Sequence, residues 1–252
     1  MITFDGLLTR LPIRWRAPWL VVVRGRSWRG IVATVGAVAI AAVVISRTQD
    51  GFAKVVIFYG PPLLALTIFG GIFQHVARGA VWTTLLQRPV AATAELLRIT
   101  ALCAAIYLLA AGILLGSAFV GLASGSLLSS TGMPDLVVAS GLWMIVVLCA
   151  VIAVSTFATQ GAAGIAIAWL MAPVILTLIA PSIELGDIAR HNLEFLLPPF
   201  DAVFGYSDVL RGKRPEVAVR YTAHLITFPL LCAGIVWRGF HVLARAEHTG
   251  AD

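Results

Sequence analysis

Six stretches of roughly twenty residues have interiors without a single Asp, Glu, Lys or Arg, and nothing else in the chain restricts its folding so strongly. They lie near 29–46, 54–73, 99–120, 136–157, 161–180 and 219–237. A helix needs roughly 20 apolar residues to cross about 30 Å of hydrocarbon. Lipid offers no partner to a backbone N–H or C=O, so spanning segments must satisfy these groups internally. The chain is 60% hydrophobic and 12% charged, where a soluble domain carries about a quarter charged residues. A soluble globular enzyme and a disordered chain are both excluded on this basis. The sequence predicts an all-α integral membrane protein with six transmembrane helices in a single transmembrane domain, 1–252. Within it, 1–28 forms an interfacial N-terminal helix, 29–237 the six-span bundle and 238–252 a cytoplasmic tail.

The charge balance is +6, carried almost wholly by arginine, since Lys54 and Lys213 are the two lysines. In so apolar a chain this fits loops facing an anionic membrane surface rather than a nucleic acid. Basic residues near span ends set orientation. Arg10, Arg14, Arg16, Arg24, Arg26, Arg29, Arg78, Arg88, Arg98, Arg238 and Arg245 fall on one side. The other side holds Arg47, Lys54, Arg190, Arg211, Lys213, Arg214 and Arg220, and its last loop offsets them with six acids, Asp201 and Asp208 among them. Both termini are therefore expected in the cytoplasm. Residues 1–29 alternate arginine with apolar residues and lack the compact core of a cleavable signal peptide. Residues 7–25 are expected to lie in the interface, with Trp15 and Trp19 on the apolar side. Pro198 and Pro199 are expected to start an amphipathic helix that ends near Gly212 and lies at the membrane edge, with Phe200, Val203 and Phe204 on one face.

Several chemistries find no residues to perform them. The chain has no phosphate loop, no paired-cysteine or H-E-x-x-H metal pattern and no nucleophile set beside a base. Cys103, Cys149 and Cys232 all lie in apolar runs, away from any disulfide framework. Ion-coupled carriers need ionisable groups within the membrane, and the six spans supply none. His224 lies within or near a span, where a hydrogen-bonded structural histidine is the expected reading. Small residues suggest close helix packing: Gly112 and Gly116 form a G-x-x-x-G pair, as do Gly121 and Gly125, and Gly164 stands in an alanine-rich run. Pro61, Pro62, Pro173 and Pro229 remove backbone donors and favour kinks.

The most informative segment follows the second span. It runs His75-Val-Ala-Arg-Gly-Ala-Val-Trp-Thr-Thr-Leu-Leu-Gln-Arg-Pro-Val90. A short helix there is stopped by Pro89, because the residue before a proline avoids helical dihedrals. A second helix is predicted from about Thr93 directly into the third span. Such a knob, joined rigidly to two membrane helices, transmits a push from a partner.

Here the chain resembles the membrane subunits of ATP-binding-cassette (ABC) type-2 exporters of bacteria. Thr84-Leu85-Leu86-Gln87-Arg88-Pro89-Val90 matches the latter half of that family's T-L-x-x-L-L-x-x-P-[VIL] pattern. Val76, Ala77 and Arg78 stand where the family carries acids, and Val81 and Trp82 replace its Thr-Leu pair. The resemblance implies a permease that dimerises with a second copy or a paralogue in the bacterial inner membrane. It implies a separate ATPase subunit that binds ATP and Mg, with no cofactor in this chain. Arg78, Trp82, Leu85, Leu86, Gln87, Arg88 and Pro89 would be the coupling residues, in a cytoplasmic coupling helix between spans two and three. Trp82, Leu85 and Leu86 suit an apolar cleft on that partner, and Arg88 an acidic rim. An apolar route suits a hydrophobic or amphipathic substrate. The alternatives are a non-transporting scaffold or anchor, which predicts a packed interior with no cavity at the dimer seam, and a secondary carrier, which the charge-free spans disfavour.

Overall fold

A computed structural model describes residues 26–47, 49–73, 92–124, 133–157, 162–179 and 195–246. The regular structure among the described residues is entirely helical. In chain order the helices are α1 (Arg26–Ile45), α2 (Asp50–Thr67), α3 (Ala92–Ser124), α4 (Met133–Phe157), α5 (Ala162–Ile179), α6 (Phe200–Leu210) and α7 (Ala218–Ala246). A π-helical turn, Ile68–Phe73, extends α2, and a 3-10 turn, Pro215–Val217, leads into α7.

Four of these are long and apolar enough to cross a bilayer: Gly51–Gly70, Ala94–Ser124, Met133–Thr156 and Pro215–Val242. The chain is therefore a membrane-embedded, multi-pass protein. Two of the six expected spans are represented by shorter apolar helices, Gly30–Ile45 and Gly164–Pro173. α3 has 33 residues, so it is about 50 Å long and overshoots the hydrocarbon by several turns. Its added length is at the N-terminal end, where Thr93 and the expected span at 99 belong to one continuous helix.

α4 is the hub. α7, α2, α6 and α5 all pack on it, while α1 packs chiefly on α3. The buried face of α3 follows helical periodicity: Leu96, Ile99, Cys103, Tyr107, Ala111, Leu114, Ala118 and Leu122. α3 is apolar all round, so the pattern of polar residues could not mark this face in advance. Specific polar contacts then fix the register. The Tyr107 hydroxyl donates to the Met144 carbonyl at 3.1 Å, which ties α3 to α4. Where Ser46, Ser124 and Asp135 cluster, called the distal end below, Arg47 donates to Ser124 Oγ at 3.2 Å.

Two glycines allow helices to touch at backbone distance. A Cβ on Gly121 would stand 2.7 Å from the Ala42 carbonyl oxygen and 2.8 Å from Ser46 Cβ, where α3 crosses α1. A Cβ on Gly239 would stand 2.9 Å from the Thr156 carbonyl oxygen, where α7 crosses α4. Close approach at small residues is the usual route to tight packing in lipid. By contrast, Gly112, Gly116 and Gly164 are exposed, and a Cβ on any of them would meet nothing within 4 Å. These three glycines make no tight crossing among the described residues.

Candidate functional site

The prolines of α2 determine how one wall of the site is built. Pro62 has no N–H, so the carbonyl of Phe58, four residues earlier, loses its helical donor. The indole Nε1 of Trp143 on α4 donates to that carbonyl at 2.9 Å. One side chain thus repairs the broken ladder and clamps α2 to α4. Replacing it (Trp143→Phe) removes the donor and leaves a buried carbonyl unpaired. The expected cost is about 1–3 kcal/mol, read as a lower midpoint of denaturant unfolding in detergent.

α6 forms after Pro198 and Pro199, as the sequence predicts, and buries one face. Ala202, Val203 and Ser207 are buried against the bundle, and α6 packs on both α4 and α7. At its C-terminal end Arg211 pairs with Asp135 at 2.8 Å, at the distal end. At its N-terminal end Phe200 meets Trp143, ring centroids 5.8 Å apart. Trp143 lies eight residues further along α4 than Asp135, about 12 Å deeper. α6 therefore starts about 12 Å below the distal end and runs back towards it. Phe200, Phe204 and Phe58 supply the driving force: Phe204 packs edge-on against Phe58 at 5.1 Å and on Phe200 at 4.5 Å.

Irregular backbone at this depth is tolerated only if its polar groups find partners within protein. The carbonyls of residues 196–199 meet that condition. Pro198 and Pro199 are buried and have no N–H to satisfy. The Leu196 carbonyl accepts from Trp169 Nε1 on α5 at 3.1 Å. The Leu197 carbonyl accepts from His224 Nε2 on α7 at 3.0 Å. The Pro198 and Pro199 carbonyls accept from the N–H groups of Phe200 and Val203. His224 is thus a structural, hydrogen-bonded histidine, also packed on Phe195 at 5.1 Å. The helix ends at Gly212, whose φ of +69° is the left-handed region that glycine adopts without strain. The Lys213 N–H returns to the Asp208 carbonyl, and the Gly212 N–H to that of Val209.

Between α2, α4, α5 and α6 lies a cavity of 1220 Å³, large for a small-molecule site. Pro62, Leu63 and Leu66 of α2 and Ile167, Leu170 and Met171 of α5 form its apolar wall. Leu63, Ile167 and Met171 are exposed and α2 and α5 barely touch, so the cavity is open between these two helices. The opposite wall is α6, which presents Asp201, Gly205 and Asp208, one face at spacings of four and three. Arg214 and Tyr221 close the distal rim. Gly205 is required here because a Cβ would stand 2.7 Å from the Tyr221 ring.

Sequence reasoning counted Asp201 as one of six acids on a surface loop. The inserted α6 places it ten residues before Arg211, about 15 Å below the distal rim. The six apolar stretches are uncharged in their interiors, and a seventh helix brings a carboxylate to the cavity. The alternation of Asp201, Gly205 and Asp208 with Phe200, Val203 and Phe204 was the available signal. Arg78, Trp82, Leu85, Leu86, Gln87, Arg88 and Pro89 lie outside the described residues, as does the interfacial segment 7–25. No family model, no curated protein and no solved structure matches the chain.

Proposed function

We propose that the chain is the permease subunit of an ATP-driven exporter in a bacterial inner membrane, with ATP hydrolysed by a separate ABC-type subunit. The observation that carries this reading is the order of parts. A motif-bearing connector of 18 residues, 74–91, separates α2 from the overlong α3, and an inserted helix, α6, separates the last two apolar helices. On this reading all six apolar stretches span the bilayer and both termini are cytoplasmic. Two permease chains form the assembly, and the outward-facing Gly112, Gly116 and Gly164 are available to the second one. The lateral cavity supports a transport role over a scaffold, which has no use for an open volume against α6.

Asp201 favours a second reading, an ion-coupled carrier in which its carboxylate takes the coupling cation or proton. The first test is purification of the tagged chain from its native membrane in a mild detergent. The exporter reading expects a stoichiometric partner with a phosphate-loop sequence. Recovery of the chain with no ATPase would overturn it.

A further inference from the structure

We propose that the lateral cavity binds an amphiphile with a single ammonium head, the cation resting at Asp201 and the chain lying along α2 and α5. This rests on the transport reading above and names its substrate class. Three observations lead to it. Asp201 stands about 15 Å below the distal rim, and among the described residues it makes no hydrogen bond or ion pair. It is exposed where it lines the cavity, and an ionisable group carried by a membrane-embedded bundle marks a binding or transfer site. Aromatic side chains line the same cavity: Trp143, Phe200, Phe204, Tyr59 and Tyr221. Aromatic faces beside a carboxylate favour a poorly hydrated organic cation, because ring quadrupoles attract it without a strong demand for water. The remaining wall is aliphatic and opens to the outside between α2 and α5, a route along which an alkyl chain enters without leaving an apolar medium.

The charges select the sign of the head. Asp208 already has Lys213 at 3.9 Å, and the cationic Arg214 lies at the rim. A cation passing Arg214 from the distal side is repelled, whereas one entering between α2 and α5 reaches Asp201 directly. Lateral entry and a cationic head are therefore coupled expectations.

The test uses the full chain in nanodiscs of neutral lipid, without ATP or partner. Binding of dodecyltrimethylammonium is compared with that of dodecyl sulfate and dodecyl maltoside. The cation is expected to bind at least tenfold more tightly than either. The near-isosteric change Asp201→Asn is expected to remove that preference while leaving binding of the neutral maltoside unchanged. Glu216→Gln, at an exposed acid that does not line the cavity, is expected to leave all three unaffected. Met171→Trp, which fills the lateral opening, should weaken all three. Equal cation affinity in the Asp201→Asn protein would overturn the proposal, as would a preference for the sulfate, which would assign head recognition to Arg214. Because the measurement needs no ATPase, intact binding together with absent ATP-dependent flux would remove the exporter reading and leave this site standing.

Discussion

Gly121→Leu is expected to lower stability by about 3 kcal/mol or more, near the upper end for a single change. A Cβ alone would sit 2.7 Å from the Ala42 carbonyl oxygen. That neighbour is helix backbone, which cannot rotate aside as a flexible side chain would. Relief requires α1 to move away from α3. The movement breaks the Arg47 to Ser124 hydrogen bond and opens the contacts of Ala42 and Ser46, both fully buried. Gly112→Leu on the same helix is the matched control. With nothing within 4 Å of its Cβ position, it should change unfolding by no more than about 0.5 kcal/mol. If Gly112 faces a second permease, the same change reduces the dimer fraction on size exclusion while the monomer remains folded. Unfolding midpoints in a single detergent compare the two variants directly.

The second large effect concerns the partner. Leu85→Asp together with Leu86→Asp is expected to abolish ATPase co-purification and reduce transport to background. Two apolar anchors in a docking interface contribute about 2 kcal/mol each when they are central to it. Replacing both with carboxylates also puts charge into an apolar cleft, so affinity should fall ~1000-fold or more. The fold of the bundle should be unaffected, since the substitutions lie in a connector between helices. Undiminished ATPase recovery would remove the assigned role of this segment.

The membrane class and most helix positions were legible because lipid imposes a length and a polarity that the chain must meet residue by residue. α6 was legible as a helix through Pro198, Pro199 and Gly212, whose backbone restrictions are local. Its depth was not, because insertion depends on partners far away in sequence: Trp169 and His224 for the carbonyls of the turn, Trp143 and Phe58 for its aromatic face. The role of Asp201 was hidden for the same reason. A surface acid and a cavity acid look alike until the helix that carries them is placed. The glycines show a similar limit. G-x-x-x-G spacing pointed to Gly112, Gly116, Gly121 and Gly125; among the described residues Gly121 makes a tight crossing, Gly112 and Gly116 do not, and Gly239, which lies in no such pair, does. Spacing reports which residues share a helix face, and only the neighbouring helix decides which face is covered.

The most direct measurement is flux through purified protein in sealed vesicles, with the chain reconstituted either alone or with its ATPase. A gate moved by a separate ATPase predicts no accumulation against a gradient from the chain alone, whatever proton or sodium gradient is imposed, and ATP-dependent accumulation once the ATPase is added. Uphill flux driven by an ion gradient through the chain alone would contradict it and would make Asp201 the coupling site.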